Sequence, residues 1–433
     1  MALSTKPYIG SRDFYPDDMR FRNWMFSIQR NVCMSFGYGE YATPIIEPLE
    51  LYASKSSEEI VNEQLYRFTD RGDREVAIRP ELTPSLARIV AARSKEMVAP
   101  IRMFNVGNFM RYERPGRGRL REFYQLNVDL LGSSSPAADA EVIMIGAEIL
   151  KKYGAGNANF MIRFSDRRLM NSYFSDLSGT PLRLLGRLLD KKEKISIEEY
   201  ERELNAISAD SNFAKRVNAF LELNLDQALE LSERGLLDKD AVMHLRSVYK
   251  FLEHFGFSDC LKFDTSIMRG FDYYTGLIFE IYDTHPDNRR ALFGGGRYDR
   301  LLGLFGKNEI PAVGFGMGDV TLENFLRIHD LVHEDVISPS GAYLTLFSDE
   351  MMSHNLRIAS ILRSGGIELE MALESSKKLG RQFEIAEKKG RRYAIIIGED
   401  EISKSIVRIK NLISGEQKDV GESDMISVLK SGF

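Results

Sequence analysis

The stretch from Ile101 to Leu131 constrains this chain more than any other. Two β-rich pieces, IRMFNVGNFMRYE and REFYQLNVDLLG, flank Pro115-Gly116-Arg117-Gly118. Aromatic and apolar residues on both sides of a proline-glycine turn predict a long antiparallel hairpin. Five arginines crowd that turn: Arg111, Arg114, Arg117, Arg119 and Arg121. In strand alternation Arg111 and Glu113 share a face, as do Arg119 and Arg121 on the return. Guanidinium forks hold phosphate oxygens in pairs, so facing rows of them suit a polyphosphate; a solvated charge run is the competing reading. On the return strand Gln125 and Asp129 share the face of Phe123, and polar residues inside an apolar strand need partners if buried.

Around the hairpin the pattern is mixed. Pro16-Asp17-Asp18 starts a helix in which Met25, Ile28, Val32 and Phe36 recur at helical spacing until Gly37. Tyr41 to Leu49 is extended, punctuated by Pro44 and Pro48, and a helix runs from about Ala138 to Tyr153. Residues 172–258 turn leucine-, lysine- and glutamate-rich, which predicts several short helices inserted between strand-bearing segments. Strand signals return in IMRGFDYYTGLIFEIY and, after Gly294-Gly295-Gly296, in PAVGFGMG, before a helix from Asp319 to about Leu331. Beyond the linker HEDVISPSG, strands AYLTLF, IELEMAL and RYAIIIG alternate with helical patterns, predicting a small α/β domain with largely parallel strands.

Composition excludes some classes. With 433 residues, 43% hydrophobic and 28% charged, the chain is ordinary globular protein of two to four domains. A net charge of −5 argues against a globally basic nucleic-acid surface and leaves only local patches. One such run is Lys377, Lys378, Arg381, Lys388, Lys389, Arg391 and Arg392. Cys33 and Cys260 form no CxxC pair, so neither a disulfide framework nor a thiolate metal site is expected, and a reducing, cytoplasmic setting fits. No apolar run reaches membrane-spanning length, and no signal peptide or anchor is indicated.

Three smaller clusters carry chemistry. Arg269-Gly-Phe-Asp-Tyr273-Tyr274-Thr-Gly276 sets a cation beside two phenols, although tyrosines at strand spacing also serve as packing. Arg79-Pro-Glu81-Leu82-Thr83-Pro puts a carboxylate and a hydroxyl on one side of an extended segment, able to hold an ammonium. His329 and His333 stand four apart on the last helix of this part, but Asp330 is short for a general base and no third ligand is apparent, so no metal site is expected.

Taken together and in this order, these segments resemble histidyl-tRNA synthetases of the class II aminoacyl-tRNA synthetases over nearly the whole chain. IGSRDFYPDDM resembles the family's opening segment, the helix with Pro44 its motif 1, and FMRYERPGRGRLREFYQ its motif 2. RGFDYYTG and GGGRYDRL resemble its two histidine signatures, and RYAIIIGEDE with IKNLISGEQ its anticodon-binding domain. The resemblance implies an α+β fold: an antiparallel-sheet catalytic domain in two parts, 1–171 and 259–332, a helical insertion at 172–258, and an α/β anticodon-binding domain at 338–433. It implies L-histidine, ATP with Mg2+, and tRNA(His) as partners, and a homodimer formed through motif 1. Glu81, Leu82, Thr83 and Gln125 would hold the α-amino end of histidine, while Asp129, Tyr273 and Tyr274 would face its imidazole. Arg111 and Arg269 would approach the reacting centre from opposite sides, with Glu113, Arg119, Arg121 and Phe123 on ATP. The last domain's basic run would meet the anticodon stem.

Two positions depart from the family pattern. Thr321 stands at the count where motif 3 usually has an arginine, with Arg119 or Arg121 as compensating candidates, and Gly116 stands where many relatives carry glutamine. A catalytically silent paralogue, the regulatory subunit of ATP phosphoribosyltransferase, is the competing identity. It typically lacks the anticodon domain.

Overall fold

The computed structural model describes every residue except 1–2, 54–62, 117, 193–194, 209, 211, 268–273, 289, 301, 307–308, 334–335 and 337. It divides into two compact units, Met1–Leu331 and Val332–Phe433.

Helix α1 (Pro16–Ser35) begins as its sequence predicts. Pro16 occupies the first turn, where its missing N–H costs nothing, and the Asp18 carboxylate accepts from the Tyr15 N–H at 3.0 Å. Short elements follow: β1 (Gly39–Glu40), β2 (Ile46–Pro48), α2 (Leu49–Ala53), β3 (Tyr66–Thr69), β4 (Glu75–Ile78) and α3 (Thr83–Arg93). The predicted hairpin is β5 (Ile101–Met110) and β6 (Glu122–Leu131), paired antiparallel from Ile101 opposite Leu131 to Met110 opposite Glu122. Helix α4 (Pro136–Lys152) is capped by the Ser135 hydroxyl, which accepts from the Ala137 N–H at 3.2 Å, and leads into β7 (Phe160–Asp166).

A helical stretch then intervenes, comprising α5 (Arg167–Tyr173), α6 (Thr180–Lys191), α7 (Ile197–Ile207), α8 (Phe213–Leu221), α9 (Leu225–Glu233) and α10 (Lys239–His254). The chain returns to sheet in β8 (Leu261–Phe263), β9 (Leu277–Asp283), β10 (Ala291–Arg297) and β11 (Ala312–Gly318) and closes the unit with α11 (Asp319–Ile328).

Eight strands form one sheet in the order β1-β5-β6-β11-β10-β9-β7-β8. Its pairings are antiparallel except β1 with β5 and β7 with β8. A separate antiparallel sheet, β2-β4-β3, packs beside it. Helices α1 and α4 lie on the large sheet. The even positions of β6, Leu126, Val128 and Leu130, are buried with Val142, Ile143, Ile149 and Leu150 of α4. Each fully buried aliphatic side chain of this kind contributes roughly 1.5–3 kcal/mol. The odd positions of β6 are thereby committed to the opposite face.

In the second unit β12 (Ala342–Leu344), β13 (Leu369–Met371) and β14 (Tyr393–Ile396) are parallel, with helices Met352–Ser364 and Leu379–Lys388 between them. The sheet also carries an antiparallel pair that sequence periodicity did not separate, β15 (Ile406–Asn411) and β16 (Gln417–Gly421). Part of the basic run is already engaged: Lys389 pairs with Glu370, and Arg391 with Glu368 and Glu370. Among the described residues no helix is long and apolar enough to cross a membrane.

Candidate active site

A polar cleft opens on the odd face of β6. Gln125, Asn127 and Asp129 point into it from that strand, Glu81 and Thr83 from the start of α3, Arg111 from the hairpin turn, and Tyr274 and Tyr298 from across the sheet. Opposite them the neighbouring strand is stripped to glycine. Register sets Gly314 against Asp129, Gly316 against Asn127 and Gly318 against Gln125. This floor leaves the polar side chains room. A Cβ on Gly316 would collide with the Gln125 amide, and one on Gly314 with the Asp129 carboxyl and, at 2.7 Å, with the Val128 carbonyl. Because backbone cannot yield as a side-chain tip can, Gly314→Ala is expected to raise the KM for a substrate bound in this cleft by about tenfold or more. It should also cost roughly 1–3 kcal/mol of stability. An unchanged KM in a folded variant would mean the floor carries no function.

Asp129 is 5% exposed and accepts a hydrogen bond from the Tyr298 hydroxyl. Burial pushes its carboxyl from 3.8 up to about 7, and the Tyr298 hydrogen bond only partly opposes this. Burial likewise raises the nearby Tyr41 phenol well above its ordinary value, with the Asp129 charge adding to the effect. For an acid whose folded pKa exceeds its unfolded one, the protonated form is favoured in the fold. The associated stability is full below about pH 4 and is lost as pH rises through about 7. Asp129→Asn, a neutral isostere, should therefore melt above the wild type at pH 8 without ligand. The difference should shift in the wild type's favour by about 2–3 kcal/mol on going to pH 5. Melting curves at both pH values check this, and a pH-independent difference would refute the buried charge.

Arg111 donates from Nε to the Pro80 carbonyl at 2.9 Å, lies 5.2 Å over the Phe123 ring and approaches Glu113 at 3.8 Å. Phe123 in turn stacks on Phe109 at 5.8 Å. The expectation of two facing arginine rows is corrected here. β5 stops at Met110 and β6 starts at Glu122, so the arginines follow loop geometry and not strand alternation. Glu113 sits between Arg111 and Arg119, which neutralises part of the like-charge repulsion. Arg121 turns the other way: it donates to the Tyr8 hydroxyl at 3.0 Å and the Glu113 carbonyl at 3.1 Å, and stacks 4.1 Å over Tyr112. Arg119, its side chain 64% exposed, is the freer of the two candidates for compensating Thr321.

Thr321 closes the first turn of α11, donating to the carbonyls of Leu292 at 2.8 Å and Gly318 at 3.2 Å. With Gly118 at the hairpin tip and Asn288, Arg290, Leu292 and Asn324 it lines a second cleft. The segment around Glu81 is also not extended as expected: Leu82 is in the α region and Thr83 opens α3. Leu82 is buried at 1% exposure and is not among the residues lining the cleft. Arg269 and Tyr273 lie outside the described residues.

His329 and His333 share no helical face, since α11 ends at Ile328. His329 is instead bound to Asp283 at 2.7 Å and Asn159 at 2.9 Å.

Two cleft residues escaped the sequence reading. Asn127 lies between Gln125 and Asp129 in the same alternation, a signal that was available. Its Nδ2 is buried without a hydrogen-bond partner among the described residues, as expected of a donor that awaits a ligand. Tyr298 directly follows Gly296-Arg297, but that its hydroxyl reaches Asp129 depends on strand order.

A family model described as "Histidyl-tRNA synthetase" matches residues 10–320, and one described as "Anticodon binding domain" matches residues 336–432. The chain is 42% identical to a histidine–tRNA ligase of Leptospira biflexa over 432 residues, 99% of this chain and 98% of that protein. It is 37% identical to a chloroplastic/mitochondrial histidine–tRNA ligase of Arabidopsis thaliana, covering 98% of this chain and 86% of that one. A histidyl-tRNA synthetase crystal structure from Nostoc sp. PCC 7120 superposes with a TM-score of 0.86 over 99% of this chain and 100% of the other, at 24% identity, which bears on the fold alone. A mixed catalytic unit with this cleft, followed by an anticodon-binding domain, defines an aminoacyl-tRNA synthetase. Within that class the chain belongs to the histidyl-tRNA synthetase family. The regulatory paralogue is not favoured.

Proposed function

We propose that this chain activates L-histidine with ATP to histidyl-adenylate and transfers the histidyl group to tRNA(His), as a homodimeric class II enzyme of the cytoplasm. One observation carries the reading. A single buried cleft gathers Glu81, Thr83, Gln125, Asp129 and Tyr274 beside the Arg111 cation. Glu81, Thr83 and Gln125 suit an ammonium, with Leu82 supplying backbone nearby. Asp129 accepts from an imidazole N–H, while Tyr274 and Tyr273 complete that end.

Activation proceeds by attack of the histidine carboxylate on the α-phosphorus of ATP, with pyrophosphate leaving. Negative charge grows on the phosphoryl oxygens; Arg111 offsets it, and Arg269 is the second cation we assign to this role. Phe123 offers its ring to adenine, while Glu113 and Arg119 frame the nucleotide and Arg121, held by Tyr8 and Tyr112, braces the turn that carries them. Glu113, which faces Arg111 and Arg119, would offer a hard carboxylate oxygen to a Mg2+ carried by the nucleotide, and that ion would offset charge on the phosphates. A ribose hydroxyl at the tRNA end then attacks the adenylate carbonyl and AMP departs, so no protein nucleophile is required.

The exposed apolar side chains Ile45, just before β2, Ile46 on β2 and Phe68 on β3 support pairing through the motif 1 region. Two free, buried cysteines suit a reducing compartment. We divide the chain functionally into a catalytic domain at 1–171 and 259–332, a helical insertion at 172–258 and an anticodon-binding domain at 338–433, whose basic run would meet the anticodon stem. The deciding experiment is exchange of labelled pyrophosphate into ATP. Exchange that requires histidine and no other amino acid supports the reading, whereas a chain that neither exchanges pyrophosphate nor charges tRNA overturns it.

A further inference from the structure

One buried ionic cluster has no part in the chemistry described above. Asp139 on α4 is fully buried and takes three donors. Arg297 on β10 reaches it from Nε at 3.2 Å and from Nη2 at 2.9 Å to each oxygen. His244 on α10 reaches it from Nε2 at 2.5 Å. Since an ionised carboxylate only accepts, Nε2 is the protonated nitrogen. The remaining Arg297 nitrogen, Nη1, donates to the Ser133 carbonyl at 3.0 Å and to Asp299 at 3.3 Å.

Arg297 is tied at its backbone to both phenols of the cleft. Its carbonyl accepts from the Thr275 N–H at 2.7 Å, next to Tyr274, and its neighbour is Tyr298, whose hydroxyl holds Asp129. Thr275 and Asp299 are further joined at 3.0 Å. A continuous path of hydrogen bonds and one peptide link therefore runs from α10, in the helical stretch, through Asp139 and Arg297 to the residues facing Asp129.

We propose that His244 and Asp139 are positioning residues for histidine recognition, through which the helical insertion sets the geometry of Tyr274 and Tyr298 against Asp129. The inference rests on the function proposed above. Two parts of its physics are general. A buried ion pair adds little net stability compared with apolar packing, so its presence here points to a positional role. A guanidinium held at fixed angle by a bidentate carboxylate transmits orientation to its own backbone, and a site loosened by a fraction of an ångström loses binding.

The test uses the full chain in histidine-dependent pyrophosphate exchange, varying each substrate in turn. His244→Ala is expected to raise the KM for histidine about tenfold, with the KM for ATP within about twofold. His244→Gln, which returns an N–H near the same place, should recover most of the loss. A staple that only holds the fold would lower the melting temperature and shift both KM values together, or neither, and either result overturns the inference. If His244→Ala fails to fold, the isosteric Asp139→Asn is titrated with histidine directly beside His244→Gln: weakened affinity in Asp139→Asn with near-normal affinity in His244→Gln supports the inference, and undiminished affinity in Asp139→Asn refutes it. Failure of the wild type to exchange pyrophosphate at all would instead discard the proposed function.

Discussion

Arg111→Ala is expected to lower histidine-dependent pyrophosphate exchange by on the order of 100-fold or more, with most of the loss in kcat. Arg111 enters the cleft from the hairpin turn, its plane set by the Nε bond to the Pro80 carbonyl and by Phe123 beneath it. A cation so held would need no reorganisation as charge develops on the α-phosphate, so it would stabilise the transition state more than the ground state. The stability cost should be separable from this loss. Removing the guanidinium leaves one carbonyl short of a donor, a loss of roughly 1–3 kcal/mol. Steady-state exchange with a parallel melting curve separates the two effects. Were the variant to exchange at near-normal rate, Arg111 would be a structural brace of the turn, and the charge offset would have to come from elsewhere.

A chain ending at Leu331 should keep histidine-dependent exchange and lose tRNA charging. Met1–Leu331 is compact by itself, and every cleft residue belongs to it. The second unit has its own core, in which Ile358, Leu362, Ile395 and Ile409 are fully buried, so its removal should leave the first core intact. Charging is expected to fall about 100-fold or more, because anticodon contacts supply binding energy that aligns the distant acceptor end with the adenylate. The truncated protein must first be checked for its oligomeric state, since a lost dimer could disturb the cleft. If a truncated chain of the same oligomeric state charges histidine tRNA as well as the whole protein does, residues 338–433 do not read the anticodon.

Much of this protein is legible along the chain because the signals involved are local. The β5-β6 hairpin follows from its turn and strand composition, α1 from Pro16 and its acidic first turn, and the helical stretch from its leucine pattern. Gln125 and Asp129 were recognisable as a polar pair on one strand face, for the period of a strand is read directly from spacing. Local rules misjudged the segment at Glu81, where Thr83 begins a helix, and the arginine turn, where strand alternation ends at Met110.

Tertiary structure alone decided the rest. Glycines in GGGR and GFGMG mark a family pattern but do not say what they face; strand order sets Gly314 and Gly316 against Asp129 and Asn127, and only then does their missing Cβ become the floor of a cleft. His244 and Arg297 lie 105 and 158 residues from Asp139 along the chain, and no periodicity links them. Their meeting, like the rise of Asp129 to about 7, arises from exclusion of water by packed helices and strands, a property of the assembled core and not of any segment.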